Sequence, residues 1–119
     1  MNFLMVFIGG GLGSCLRYLI SLWIPFKPPS FPWATLSANL ASCFIIGCLI
    51  ALLSKGQLSS HSKLLLITGF CGGFSTFSTF SLEIVQLVKY GAYGTSITYG
   101  LLSVVLGSVL VFLGSSMFQ

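Results

Sequence analysis

Residues 72–83 read GGFSTFSTFSLE, and this stretch decides how the chain folds. Two adjacent glycines lower the propensity for helix, and the five hydroxyl side chains that follow within seven residues compete for backbone hydrogen bonds. The stretch lies in an apolar segment between Lys63 and Lys89. As one straight helix that segment would be about 40 Å long, which exceeds the hydrocarbon core of about 30 Å. We therefore predict a break in this helix near the middle of the membrane.

A break at that depth is itself a functional indication. Unpaired peptide groups cost several kcal/mol in lipid, so irregular backbone persists there only when protein or a polar site surrounds it. Discontinuous helices are also where transport proteins bind ions, through freed carbonyl groups and helix ends.

Four apolar segments are long enough to cross a bilayer, since a transmembrane helix needs about 20 such residues. We predict one domain over residues 1–119 whose helices run at about 3–24, 33–54, 63–90 and 95–118. The prolines of segment 25–32 end the first helix, and a polar loop at 55–62 precedes the third. The predicted fold class is an all-α membrane protein of four transmembrane helices, broken in the third.

The composition points to lipid as the surrounding solvent. Charged residues make up 5% of the chain and hydrophobic residues 55%, with a mean hydropathy of +1.04, whereas soluble domains are about 25% charged. The net charge of +4 comes from scattered bases, a pattern that excludes a nucleic-acid surface. Lysine and arginine are nearly balanced between the two sides, so they do not fix one orientation. This balance favours insertion in both orientations and pairing as an antiparallel dimer.

Small and polar side chains lie at helical spacing on the other helices. Gly9-x-x-x-Gly13 predicts close helix packing. Arg17 continues that face; an arginine at the bilayer centre costs about 2.5 to 3.5 kcal/mol, and it serves either as an anchor or as a functional charge.

Polar stripes mark the second and fourth helices. Thr35, Asn39 and Ser42 form the first stripe, and Tyr99 and Ser103 belong to the second. Interhelical hydrogen bonds are the simplest role for them, at about 0.6 kcal/mol each on average. With the hydroxyls after the break, these stripes also have the donors to line a narrow ion route.

Phe77 and Phe80 are three residues apart and so share a helix face. The edge of an aromatic ring is electropositive, which lets it attract an anion without the tight binding of a fixed cation. Such a pair is usually core packing, but its position among five hydroxyls favours an anion pathway.

Residues 72–83 closely resemble the signature of the Fluc (CrcB) fluoride channels, as do GGGLGS at 9–14 with Arg17-Tyr18 and the pair Thr35-x-x-x-Asn39. The resemblance covers all four helices in order. It implies a fluoride-selective channel of the bacterial inner membrane that exports fluoride passively and lowers its cytoplasmic concentration. It also implies a dual-topology homodimer in membrane lipid, with two pores and a structural sodium ion at the centre.

The resemblance also implies roles for single residues. The rings and polar groups along the fluoride pathway would be Phe77, Phe80, Asn39, Thr35, Thr79, Tyr99 and Ser103. Arg17 and Glu83 would be vestibule or structural charges, and the backbone carbonyls of Gly72 and Ser75 would hold sodium. The family uses threonine more often at position 75, a difference that leaves a carbonyl ligand intact. At a further position of the fourth helix the family has a hydroxyl side chain, whereas this chain has Gly107.

Three other classes of protein fit parts of the pattern. Small multidrug transporters also have four short helices, but they need a carboxylate in the first helix, whereas the one acid here, Glu83, lies in the third. A structural subunit of a larger complex would explain the glycines but not the hydroxyl-rich break. An enzyme is disfavoured, because no nucleophile lies near a base and the one histidine, His61, is in a loop. A heterodimer of paired gene products stays open.

Overall fold

The computed structural model describes all residues from Met1 to Gln119. Its helices are α1 (Asn2–Trp23), α2 (Trp33–Ser54), α3 (60–74), α4 (Phe77–Lys89) and α5 (Tyr93–Met117). Helices α3 and α4 together form the third span, and all four spans are long and apolar enough to cross a membrane. The predicted all-α class with a break in the third span is confirmed. The helix ends differ from the predicted ones by three residues or fewer.

The break lies after the glycine pair rather than at it. Helix α3 winds as a π-helix over Leu64–Cys71 and continues through both glycines; π-helical turns occur frequently at functional sites. The backbone is extended only at Ser75 (φ −81°, ψ 155°) and Thr76 (φ −150°, ψ 122°). The hydroxyl of Thr76 accepts a hydrogen bond from the amide of Thr79, so a favourable N-cap residue starts α4. The hydroxyl run therefore decides where the helix restarts.

Close backbone contacts hold α3 against α1. A Cβ atom at Gly9 or Gly13 would overlap carbonyl oxygens of α3, and one at Gly69 or Gly73 would overlap backbone atoms of α1. The predicted packing face Gly9-x-x-x-Gly13 is confirmed, and it meets a second glycine pair at the same spacing. The two backbones approach so closely that side chains of α1 reach the carbonyl groups of the break.

Helix α2 packs along α5 in the same way. A Cβ at Gly47 would overlap the carbonyl of Val111, and Gly114 lies against the backbone of α2. At one end of this pair the small core is formed by Leu36, Leu87 and Tyr99, all of them buried. The fold is therefore two tightly packed pairs, α1 with α3 and α2 with α5, and α4 lies against α5.

The substitution Gly13→Ala tests the contact between α1 and α3. The added methyl group would meet the carbonyl of Phe70 and the amide of Phe74, and overpacking of this kind typically costs about 1–3 kcal/mol. We expect a lower melting temperature of the purified protein in detergent. Gly11→Ala is the matched control, because no atom lies within 4 Å of a Cβ there. Equal melting temperatures for the two variants would contradict this packing.

Candidate functional site

Three side chains of α2 bind the broken span. Thr35 donates to Oε1 of Glu83 at 2.6 Å, and Ser42 donates to the carbonyl oxygen of Cys71 at 3.1 Å. Asn39 lies between them and binds the break itself. The interhelical hydrogen bonding predicted for this stripe is confirmed at all three positions.

The amide of Asn39 binds both backbone groups of Thr76. The N–H of Thr76 donates to Oδ1 at 2.8 Å, and Nδ2 donates back to the carbonyl oxygen of Thr76 at 3.2 Å. In an uninterrupted α-helix the N–H of Thr76 would donate to the carbonyl of Gly72. Asn39 thus takes the place of a missing helical hydrogen bond. Of its two N–H groups, one remains for a ligand.

The carbonyl of Gly73 is capped from α1. Nε of Arg17 donates to this oxygen at 3.2 Å, and the hydroxyl of Ser14 donates to it at 3.4 Å. Arg17 is half-buried, and its guanidinium keeps further N–H groups after this bond. In this position it serves both as an anchor for the break and as a positive charge beside it.

Three carbonyl groups at the break, those of Gly72, Phe74 and Ser75, accept no hydrogen bond. No side chain donates to the carbonyl of Gly72 or Ser75, and the amides that would reach them in a continuous helix are those of Thr76 and Thr79. The first donates to Asn39 and the second to the hydroxyl of Thr76. The carbonyls of Gly72 and Ser75 are the two that the sequence analysis expects to hold a sodium ion.

An open groove of about 260 Å³ runs along the break. Its walls are formed by Asn39, Cys43, Ser75, Thr76, Phe77, Phe80, Ser103 and Val104. The ring centroids of Phe77 and Phe80 lie 5.8 Å apart, with 37° between the planes. The hydroxyl oxygen of Ser103 is buried and has no hydrogen-bond partner. Because an unsatisfied buried group costs about 1–3 kcal/mol, this hydroxyl favours a polar ligand in the groove.

A second hollow of about 170 Å³ lies between α1, α2 and α4. It is lined by Arg17, Tyr18, Ser21, Ile24, Phe26, Ala34, Thr35, Thr79 and Glu83. Glu83 is 5% exposed, and its two carboxylate oxygens accept from the hydroxyls of Thr35 and Tyr99, the latter at 2.7 Å. Each of these hydroxyls has a single proton, which is directed at Glu83.

The predicted site residues thus line the groove and the two hollows, except for Tyr99. Asn39, Phe77, Phe80 and Ser103 line the groove, and Arg17, Thr35, Thr79 and Glu83 line the second hollow. Tyr99 is fully buried between them, with its ring 5.0 Å from that of Phe80. Gly72 and Ser75 line a third hollow of about 200 Å³ with Ser42, Cys43, Ile46 and Cys71.

Sequence reasoning missed two residues of the site. Cys43 lines both the groove and the third hollow, and its position one helical turn after Asn39 was the available signal. Thr76 supplies the backbone groups that Asn39 binds and the hydroxyl that caps α4. Nothing in the sequence separates Thr76 from the other hydroxyls of its run.

Comparisons with known proteins show which family the chain resembles. The family model described as CrcB-like protein, Camphor Resistance (CrcB), matches residues 4–115. A protein of Phocaeicola vulgatus named fluoride-specific ion channel FluC is 45% identical over 114 residues, which cover 95% of this chain and 94% of the relative. Relatives with the same name from Agrobacterium fabrum and Thermus thermophilus are each 41% identical and cover 96% and 95% of this chain and 93% and 90% of their own.

The substitution Asn39→Leu tests the amide at the break. It keeps the volume of the side chain but leaves the N–H and carbonyl of Thr76 unpaired, each at about 1–3 kcal/mol. We expect a lower melting temperature and faster hydrogen exchange of the amides at 75–77. The control is Ser37→Ala. Ser37 is exposed on the same helix, and its hydroxyl donates only to the carbonyl of Trp33 one turn earlier. Unchanged exchange at 75–77 in Asn39→Leu would show that Asn39 does not hold the break.

Proposed function

The chain belongs to the CrcB family, and from this premise we propose that it is a fluoride-specific ion channel. It is a multi-pass bacterial membrane protein, with four spans and relatives that are bacterial channels. A channel conducts its ion down a gradient and makes or breaks no covalent bond, so the protein is not an enzyme. Its proposed role in the cell is to let fluoride leave and so lower the cytoplasmic concentration.

The observation that carries this proposal is the set of uncommitted donors along the groove. Fluoride is strongly hydrated, so a pore has to replace its water with donors at successive points and still release it. The unpaired hydroxyl of Ser103 and the second N–H of Asn39 are such donors. Phe77 and Phe80 extend across the same groove, and their ring edges attract an anion weakly. Neutral donors and ring edges suit conduction better than a fixed cation would.

The second hollow is the proposed vestibule. The charge of Arg17 would raise the local concentration of anions there, and Thr79 lines the same hollow. Thr35 and Tyr99 direct their protons at Glu83. Their proposed contribution to the pathway therefore requires each hydroxyl to turn from the carboxylate to the ion. Glu83 orders both hydroxyls when fluoride is absent.

A second copy of the chain is part of the proposal. Phe77 is 79% exposed, and a chain alone in the bilayer would present the groove and the free carbonyls of Gly72 and Ser75 to lipid, which is unfavourable for peptide groups. The balanced charges favour a partner of opposite orientation. Two copies would close two grooves, one from each chain, and so form two pores.

A sodium ion at the dimer centre fits the residues present. The carbonyls of Gly72 and Ser75 lack their helical donors and line one hollow, and neutral oxygens are the ligands that hard cations prefer. Equivalent carbonyls of the second copy would complete the ligand set. Bound there, the ion would supply a fixed positive charge close to both pathways. The residue change at position 75 affects only the side chain, whose hydroxyl donates to the carbonyl of Cys71.

Ion efflux from liposomes that contain the purified protein tests the proposed function. We expect rapid loss of fluoride and no comparable loss of chloride. Phe77→Ile keeps apolar bulk but removes the ring edge. Because a contact of this kind is worth up to about tenfold in rate, we expect fluoride efflux to slow by up to that factor. Phe7→Ile is the control, because Phe7 is 78% exposed on α1 and lines none of the three hollows. Equal leakage of both halides, or none, would reject the channel.

The orientation in the membrane is tested with a protease-cleavable tag after Gln119. In intact cells we expect about half of the tags to be cut from outside and the rest only after the membrane is opened, since the charges do not fix one orientation. Adding lysines to the loop at 55–62 should shift the cut fraction strongly to one side. A tag that is fully cut or fully protected in the unmodified chain would rule out an antiparallel homodimer.

A further inference from the structure

Aromatic rings connect the loop before α2 to the groove. The ring centroids of Trp33 and Phe31 lie 4.4 Å apart, and those of Phe31 and Tyr99 lie 5.5 Å apart in an edge-on arrangement at 72°. The ring of Tyr99 is 5.0 Å from that of Phe80, which is 5.8 Å from that of Phe77. A series of ring contacts therefore runs from the exposed Trp33 to the exposed Phe77.

Tyr99 is the ring shared by the loop and the groove. It is fully buried, and its hydroxyl donates to Oε2 of Glu83 at 2.7 Å. That hydrogen bond holds only the tip of the side chain, so the tilt of the ring depends on what packs against it. Phe31 and Phe80 both do so. The tilt of Phe80 towards the groove is consequently linked to Phe31 through Tyr99.

The backbone of Phe31 is itself rigid. The N–H of Trp33 donates to the carbonyl of Phe31 at 3.0 Å across Pro32, whose φ of −82° and ψ of 73° form an inverse γ-turn. The ring of Pro32 restricts φ and is almost fully buried. Its carbonyl accepts from the amide of Leu36 at 3.2 Å in the first turn of α2. This loop is thus a fixed support for the ring of Phe31.

We propose that Phe31 is a positioning residue for halide selectivity, which it sets by holding Tyr99 and, through it, the ring of Phe80. The inference rests on the proposed fluoride channel. Phe31 lines none of the three hollows, so it acts without touching the ion. Aromatic pairs prefer edge-on or offset geometry, and the edge of Phe80 meets the anion only at a defined tilt. A ring left free to rock would admit chloride more readily and hold fluoride less well.

A purely structural role for Phe31 predicts a different result. Phe31 also packs against the buried cluster of Leu36, Leu87 and Tyr99, and loss of that packing would lower the amount of folded channel. Fewer active channels reduce fluoride and chloride flux together and leave their ratio unchanged. The ratio of the two fluxes therefore separates positioning from folding.

The test compares fluoride and chloride efflux from liposomes for the unmodified chain, Phe31→Leu and Phe31→Trp. In Phe31→Leu, which keeps apolar volume without a ring, we expect the fluoride-to-chloride ratio to fall about two- to tenfold. Phe31→Trp supplies a ring edge again and should stay within about twofold of the unmodified chain. Phe3→Leu is the matched control, a phenylalanine that is 93% exposed at the start of α1, and should leave the ratio unchanged.

The two proposals fail in different ways. An unmodified chain without fluoride selectivity would end the proposed function, whereas a selective chain whose Phe31→Leu variant has the same ratio would overturn the role of Phe31 alone. If Phe31→Leu does not fold, Phe31→Met gives the same comparison with a more adaptable side chain. A further arm places Phe31→Leu in a Phe80→Met background. There we expect no additional fall, because the ring that Phe31 positions is gone; an independent, additive fall would also overturn the inference.

Discussion

Every peptide group inside a bilayer needs a partner from the protein, because lipid offers none. An uninterrupted helix supplies those partners within itself, but in the third span the helical hydrogen bonding is interrupted at Ser75 and Thr76. The surrounding structure depends on how the freed groups are paired again. Asn39 takes both groups of Thr76, the Thr76 hydroxyl takes the amide of Thr79, and α1 caps the carbonyl of Gly73. These replacement hydrogen bonds stabilise a break whose unpaired peptide groups would be too costly in lipid.

The glycine contacts are a precondition for that pairing. Ser14 has a short side chain and Arg17 a long one, and both donate a hydrogen bond to the same carbonyl of α3. They do so because α1 and α3 approach backbone to backbone through Gly9, Gly13 and Gly73. With side chains in that interface the helices would stand further apart, and the guanidinium would have to find its partner elsewhere. Packing of small residues and satisfaction of the break are therefore one structural feature.

Much of this arrangement could be read from the sequence, and the remainder could not for a physical reason. The spacing of Thr35, Asn39 and Ser42 places them on one face, and the hydroxyl run after two glycines indicates an interruption. Spacing does not reveal partners, however. That Asn39 binds the backbone rather than only lining a groove depends on the position of Thr76 in three dimensions. Single-residue patterns likewise place the break only somewhere within residues 72–83, because propensity does not show which hydroxyl caps the next helix.

The break also separates two kinds of surface over a very short distance. The groove is lined by the donors Ser103 and Asn39, whereas the third hollow is lined by Gly72 and Ser75, whose carbonyls accept no hydrogen bond. Cys43 and Ser75 line both, so the groove proposed for the anion and the hollow proposed for the cation are neighbours. Both faces result from the same break in the helix. The amides of Thr76 and Thr79 donate to side chains, which leaves the carbonyls of Gly72 and Ser75 without their helical donors. A positive charge held on one side would strengthen the field for an anion on the other, so occupancy of the two faces is expected to be mutually favourable.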